Sequence, residues 1–93
     1  MTTKIATLTL KKSDKLAFLI EQLKELQDQT RTELGCEFFT FYQHEQQLDT
    51  FILYEQFKDQ ASLDAHLELP HTQAFFSHNL VSVSQITPLI ALI

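Results

Sequence analysis

A glutamate and a histidine fall where acid–base chemistry needs them. Glu55 shares strand parity with Phe51, Leu53 and Phe57, so these side chains point to one face. A carboxylate among such neighbours is either paired or held above its ordinary pKa. His66 follows on a helical stripe with Leu63 and Leu67. If the two face each other, Glu55 orients the imidazole and His66 serves as a general base. The same pairing without chemistry is a hydrogen bond that pins the helix to the sheet. His71 comes directly after Pro70, at the start of another helical piece. Free N–H groups there favour anions, so His71 either holds an oxyanion or caps the break. Phe39 and Phe57 fall on the presumed helix-facing side and are expected to line a pocket for a flat apolar ligand. Tyr54 is a further candidate substrate contact, though its opposite parity places it poorly as a proton donor.

Other chemistries find less support. The chain has four His and one Cys. His44 lies in a polar turn, Cys36 begins a strand, and no HxxxH or CxxC spacing occurs. No metal is therefore expected. A single Gly leaves no Gly-rich phosphate loop or dinucleotide fingerprint, so no nucleotide or other cofactor is expected.

These groups sit in a chain of 93 residues, a length that fits one domain over residues 1–93. Hydrophobic residues make up 44% and charged residues 20%, a globular rather than a disordered composition. The net charge is −5, which argues against nucleic acid as a partner. No apolar run reaches the roughly 18 residues of a membrane span, and Met1 to Leu10 lacks a signal-peptide core. One Cys cannot form an intrachain disulfide, and a cytoplasmic location is expected. Lys58 is the last Lys or Arg, so the final third has no permanent cation for an acidic ligand.

The elements that must position the candidates are legible from their periodicity. Lys4–Leu10 reads as a strand. Ser13 or Asp14 is a plausible cap for a helix from Lys15 to Glu33, whose buried stripe is Leu16, Leu19, Ile20, Leu23 and Leu26. Gly35 stands where a helix end takes a left-handed residue. Cys36–Tyr42 and Thr50–Phe57 read as strands joined by a polar hairpin turn. Asp59 is expected to cap a helix from Gln60, interrupted at Pro70 and resumed from His71 to about His78. Val81–Ile86 is a last strand, and an apolar end follows from Leu89 to Ile93. The order βαββαβ is that of a ferredoxin-like α+β sandwich with a four-stranded antiparallel sheet. Helices can cover one face only, yet the middle strands carry aromatics on both. A homodimer packed sheet to sheet would bury the second face.

The segment Phe51-Ile52-Leu53-Tyr54-Glu55-Gln56-Phe57-Lys58-Asp59, with Leu63, His66 and Pro70-His71 after it, resembles the antibiotic biosynthesis monooxygenase family. Gly35-Cys36 before an aromatic strand is similar too, as is the order of elements. The resemblance implies a dimeric α+β barrel with a cavity in each subunit between sheet and helices. The family includes cofactor-free oxygenases, haem-degrading enzymes, isomerases that process autoinducers and members without known activity, so the resemblance speaks to fold more than to reaction. Haem-degrading relatives carry an Asn, a Trp and a His at positions that align here with Ala6, His66 and Phe76, which counts against haem.

The reading that asks for no missing motif is a cofactor-independent monooxygenase. It would oxidise a small quinol or phenolic metabolite with O2, with His66 as base and Glu55 as its orienter. The alternatives are an isomerase of an autoinducer-like small molecule and a non-catalytic dimeric protein that binds a metabolite.

Overall fold

Alternation along the first strand decides which side of the sheet is dry. In the computed structural model, which describes residues 1–92, β1 spans Thr2–Leu10, and Ala6, Leu8 and Leu10 are buried while their neighbours are half-buried. A 3-10 turn at Ser13–Lys15 leads into α1, Leu16–Thr30. Leu19, Leu23, Leu26 and Thr30 form its buried stripe, and Leu16 and Ile20 flank the core. Neither Ser13 nor Asp14 caps this helix through its side chain: the tight turn takes up the exposed N–H groups instead.

The helix ends three residues before the expected Glu33. Its stripe runs out at Thr30, and the chain turns over Arg31–Gly35 through Glu33 N–H to the Thr30 carbonyl (3.0 Å) and Cys36 N–H to the Glu33 carbonyl (3.1 Å). Gly35 does not take the left-handed conformation expected of it. Its role is space: a Cβ there would collide with the Cβ and Oγ of Ser62.

β2 (Cys36–Gln43) and β3 (Thr50–Phe57) form the expected hairpin. Its turn is held by His44, whose Nδ1 accepts from the N–H groups of Gln46 (3.1 Å) and Gln47 (2.9 Å). α2 (Gln60–Glu68) is capped by Asp59, whose Oδ1 accepts from Ser62 N–H at 2.8 Å. Hydrogen bonding from the Ser62 side chain, and then from its N–H, holds the Asp59 carboxyl below the usual carboxylate range. Leu69 is extended, as a residue before proline should be, and α3 (Pro70–Ser77) opens with Pro70 in its first turn. Asn79, at φ 52°, reverses the chain into β4, Val81–Leu89. This strand runs three residues past the expected Ile86. It lies at the sheet edge, where Pro88 is tolerated. Ile93 lies outside the described residues.

The sheet order is β2-β3-β1-β4, antiparallel throughout, with a bulge where β1 meets β4 near Thr7 and Leu8. This is the ferredoxin-like α+β arrangement. The core lies between the sheet and the helices, built from Ala6, Leu8, Leu19, Leu23, Phe39, Phe51, Phe57, Leu63 and Phe75 among others. Among the described residues no helix covers the opposite sheet face. Phe38 and Tyr42 there are 41% and 52% exposed, and the Phe38 and Tyr54 rings meet edge to face at 5.0 Å. No helix among the described residues is long and apolar enough to cross a membrane.

Candidate active site

The early end of α1 frees Glu33 from the helix, and the turn that carries it is held from both sides. Arg31 Nε donates to the Phe39 carbonyl (3.0 Å) and its Nη2 to Thr40 Oγ1 (2.9 Å), which ties the turn to β2. The Gly35 carbonyl accepts from Lys58 N–H (2.9 Å), which ties it to the β3–α2 junction. Glu33 thereby faces the helices α2 and α3. Its Oε2 lies 2.9 Å from His66 Nδ1 and 2.6 Å from His71 Nε2.

The three side chains are only 12%, 4% and 18% exposed, in the order Glu33, His66, His71. His66 sits on the inner stripe of α2, its ring 5.1 Å from Phe57 and 5.3 Å from Phe39 between centroids. Thr72 Oγ1 is 3.4 Å from His66 Nδ1, a long and weak contact. His71 owes its place to Pro70, which restarts the helix one residue earlier.

The geometry constrains the hydrogens. One ionised carboxylate oxygen can only accept, so both ring nitrogens facing it carry N–H. Neutral rings would then expose lone pairs at His66 Nε2 and His71 Nδ1. A carboxylate that fixes an imidazole tautomer in this way prepares the far nitrogen to take a proton.

Glu33 stands in the role expected of Glu55. Glu55 does face the helix side, opposite Lys4 on β1 and Phe39 on β2. Among the described residues it makes no hydrogen bond to His66, whose acidic partner is Glu33. Burial pushes the Glu55 carboxyl up to about 7, partly offset by the Lys4 ammonium. Phe39 and Phe57 are almost fully buried and form the floor beneath His66 rather than an open pocket wall. Tyr54 points to the other face of the sheet, away from the histidines. There it lines a groove of about 400 Å³ with Glu37, Phe38, Tyr42 and Gln56. Cys36 adjoins the turn, and burial, then the Glu33 charge, push its thiol up, which leaves it an inert thiol.

Glu33 does not stand out in the sequence as a site residue, because the helical pattern takes it in as its last member. The signal available was the stripe itself, which has no apolar member after Leu26 before Leu34. A small recess of about 30 Å³ reaches the cluster through His71. A second recess of about 200 Å³ lies at the far end of α3, lined by Lys11, Lys12, Lys15, His78, Asn79 and Leu80.

Comparison with known proteins agrees with this architecture. The model of the antibiotic biosynthesis monooxygenase family matches residues 1–77. PA3566 from Pseudomonas aeruginosa superposes with a TM-score of 0.86 at 23% identity, covering 99% of this chain and 95% of its own. Rv0793 from Mycobacterium tuberculosis gives 0.84 at 22% identity, covering 100% and 97%. A structure described as an antibiotic biosynthesis monooxygenase gives 0.83 at 19% identity, covering 98% and 99%. At these identities the structures speak for the fold alone. No curated protein matches the sequence.

Proposed function

This chain belongs to the antibiotic biosynthesis monooxygenase family, and from that premise we propose that it is a cofactor-independent monooxygenase of small quinols or phenols. The observation that carries the reading is the Glu33 carboxylate, which holds His66 and His71 by one oxygen at 2.9 and 2.6 Å. The reaction needs little else. A hydroquinone loses a proton to an imidazole, and the electron-rich anion passes electrons to O2. One hydroquinone and one O2 give one hydroxyquinone and one water, so atoms and electrons balance without an external reductant.

His71 is the more exposed ring and meets the substrate. His66 and Glu33 position it and share its proton. Glu55, with its carboxyl raised to about 7, is a second proton carrier on the same side of the sheet. The protein acts as a homodimer. Its bare sheet face, with Phe38, Tyr42 and Tyr54, is the surface a second copy covers.

Oxygen uptake over a panel of hydroquinones and catechols, corrected for autoxidation, tests the reading. His66→Ala and His71→Ala should each lose about 10²–10⁴-fold of the rate, with circular dichroism unchanged. Wild-type uptake no faster than buffer would sink it.

The lysine recess favours one second reading, an isomerase of a phosphorylated small molecule. It offers cations that the chain lacks after Lys58. The seven residues from His71 to His78 put it about 10 Å along α3 from the histidine pair, a span that such a molecule can bridge. Turnover of a phosphorylated ketose without oxygen uptake would support this reading. Ligand binding with no turnover of either kind would point to a binding protein.

A further inference from the structure

The chain lacks the short His and Cys spacings of a metal site, yet the fold assembles a ligand set from distant positions. Glu33 Oε2, His66 Nδ1 and His71 Nε2 all lie within 4.8 Å of one another. We propose that these three atoms bind a divalent transition ion of the zinc class, and that occupancy competes with the proton-handling role of the histidines.

The two carboxylate–imidazole separations are within an ångström of what such an ion requires. Four ligands at about 2.0–2.1 Å in a tetrahedron stand roughly 3.3 Å apart. The present O···N separations of 2.9 and 2.6 Å therefore have to open by about half an ångström. Both N–H hydrogens now point at one oxygen, into the region the ion would take. A neutral imidazole frees its coordinating nitrogen by moving its proton to the other ring nitrogen, so neither ring has to lose its proton.

Preorganisation is supplied by separate elements. Arg31 and Gly35 anchor the turn of Glu33, Phe39 and Phe57 hold the His66 ring, and Pro70 fixes the start of α3. Glu33 and His71 reach the surface, which gives the ion an entry and leaves a fourth position for water. Two imidazoles and one carboxylate suit zinc, cobalt, nickel, copper or iron(II) rather than calcium or magnesium, which prefer oxygen shells. His44 is engaged in the hairpin turn, and His78 stacks edge-on against Phe18 at 5.2 Å. Neither belongs to the cluster, and both serve as controls.

The inference uses the same side chains as the proposed reaction but is read independently of turnover. The full-length protein would be titrated with cobalt(II) and followed by its visible absorption, and with zinc(II) by calorimetry. One equivalent per chain should bind. Affinity should fall at least tenfold in Glu33→Gln and in His71→Ala, and stay within twofold in His44→Gln and His78→Gln. Anomalous density from a zinc-soaked wild-type crystal should peak between the three side chains, a readout that needs no variant to fold. Absence of saturable binding, a peak elsewhere, or equal affinity in Glu33→Gln and His71→Ala would overturn the proposal. Zinc binding without hydroquinone turnover leaves this inference standing and removes the oxygenase. Turnover indifferent to zinc, in a protein that binds none, does the reverse.

Discussion

Glu33 and His66 meet through a 2.9 Å hydrogen bond across 33 residues of chain, and the same Glu33 oxygen takes a second bond from His71. One carboxylate thus joins the turn after α1 to α2 and α3. It holds the facing nitrogen of both rings by the same atom.

Loss of that acceptor should cost stability. Glu33→Gln removes the charge: the amide oxygen can still accept from both rings, but two charge-assisted hydrogen bonds become neutral ones, roughly half as strong. A cost of about 1–3 kcal/mol follows, and Tm should fall by roughly 4–8 °C per kcal/mol in a domain of this size. Thermal unfolding at fixed protein concentration measures it. An unchanged Tm would show the cluster is not a structural tie.

Gly35 should resist the smallest enlargement. Gly35→Ala places a methyl against Ser62, and overpacking of this kind costs about 1–3 kcal/mol. Ser62→Gly in the same chain should recover much of it. A double-mutant cycle in urea reads the coupling; additive effects would contradict the close approach.

Glu55 sets a pH dependence with a definite sign. Burial raises its carboxyl from 4.5 to about 7 in the folded protein. Between those values the folded state binds more protons than the unfolded state. The contribution of Glu55 is fully present below about pH 4.5 and is lost as pH rises through 7. The shift corresponds to about 3 kcal/mol at most. Glu55→Gln should therefore gain on wild type as pH rises from 4.5 to 7 and hold that gain above it. Denaturant midpoints across this range test it, and a constant difference between the proteins would refute it.

Thr30 is fully buried at the end of α1, and its hydroxyl has no hydrogen-bond partner among the described residues. Thr30→Val keeps the shape and removes the unpaired group. It should stabilise the protein by about 1 kcal/mol. A loss of stability would mean that the hydroxyl has a partner in solution.

The bare sheet face offers the test of assembly. Tyr42→Asp puts a charge on its exposed aromatic patch, on the edge strand β2, without touching the helix-side core. Sedimentation at micromolar concentration should show a dimer for wild type and a monomer for the variant, with the same circular dichroism. A monomeric wild type would dispose of the dimer.

Much of the fold was legible because it rests on local periodicity. The α1 stripe, the alternation of β1, the aromatic strands, the Asp59 cap and the Pro70 break each follow from neighbouring residues, and together they yield βαββαβ. The helix-facing placement of Phe39, Phe57 and Glu55 follows from parity alone. The partner of His66 did not. A helix end is a weak signal in sequence, and counting Glu33 inside α1 hid the one carboxylate that reaches the histidines. Glu55 shares a face with the core, but a face is wider than a hydrogen bond. Local rules favour Gly35 as a left-handed cap, whereas its need is for room beside Ser62, 27 positions away. Residue types and spacing determined which elements form and which sides they bury. The meeting of Glu33, His66 and His71 was decided only when a turn, two helices and the sheet packed together, because a contact of 3 Å depends on the relative placement of elements that no local pattern encodes.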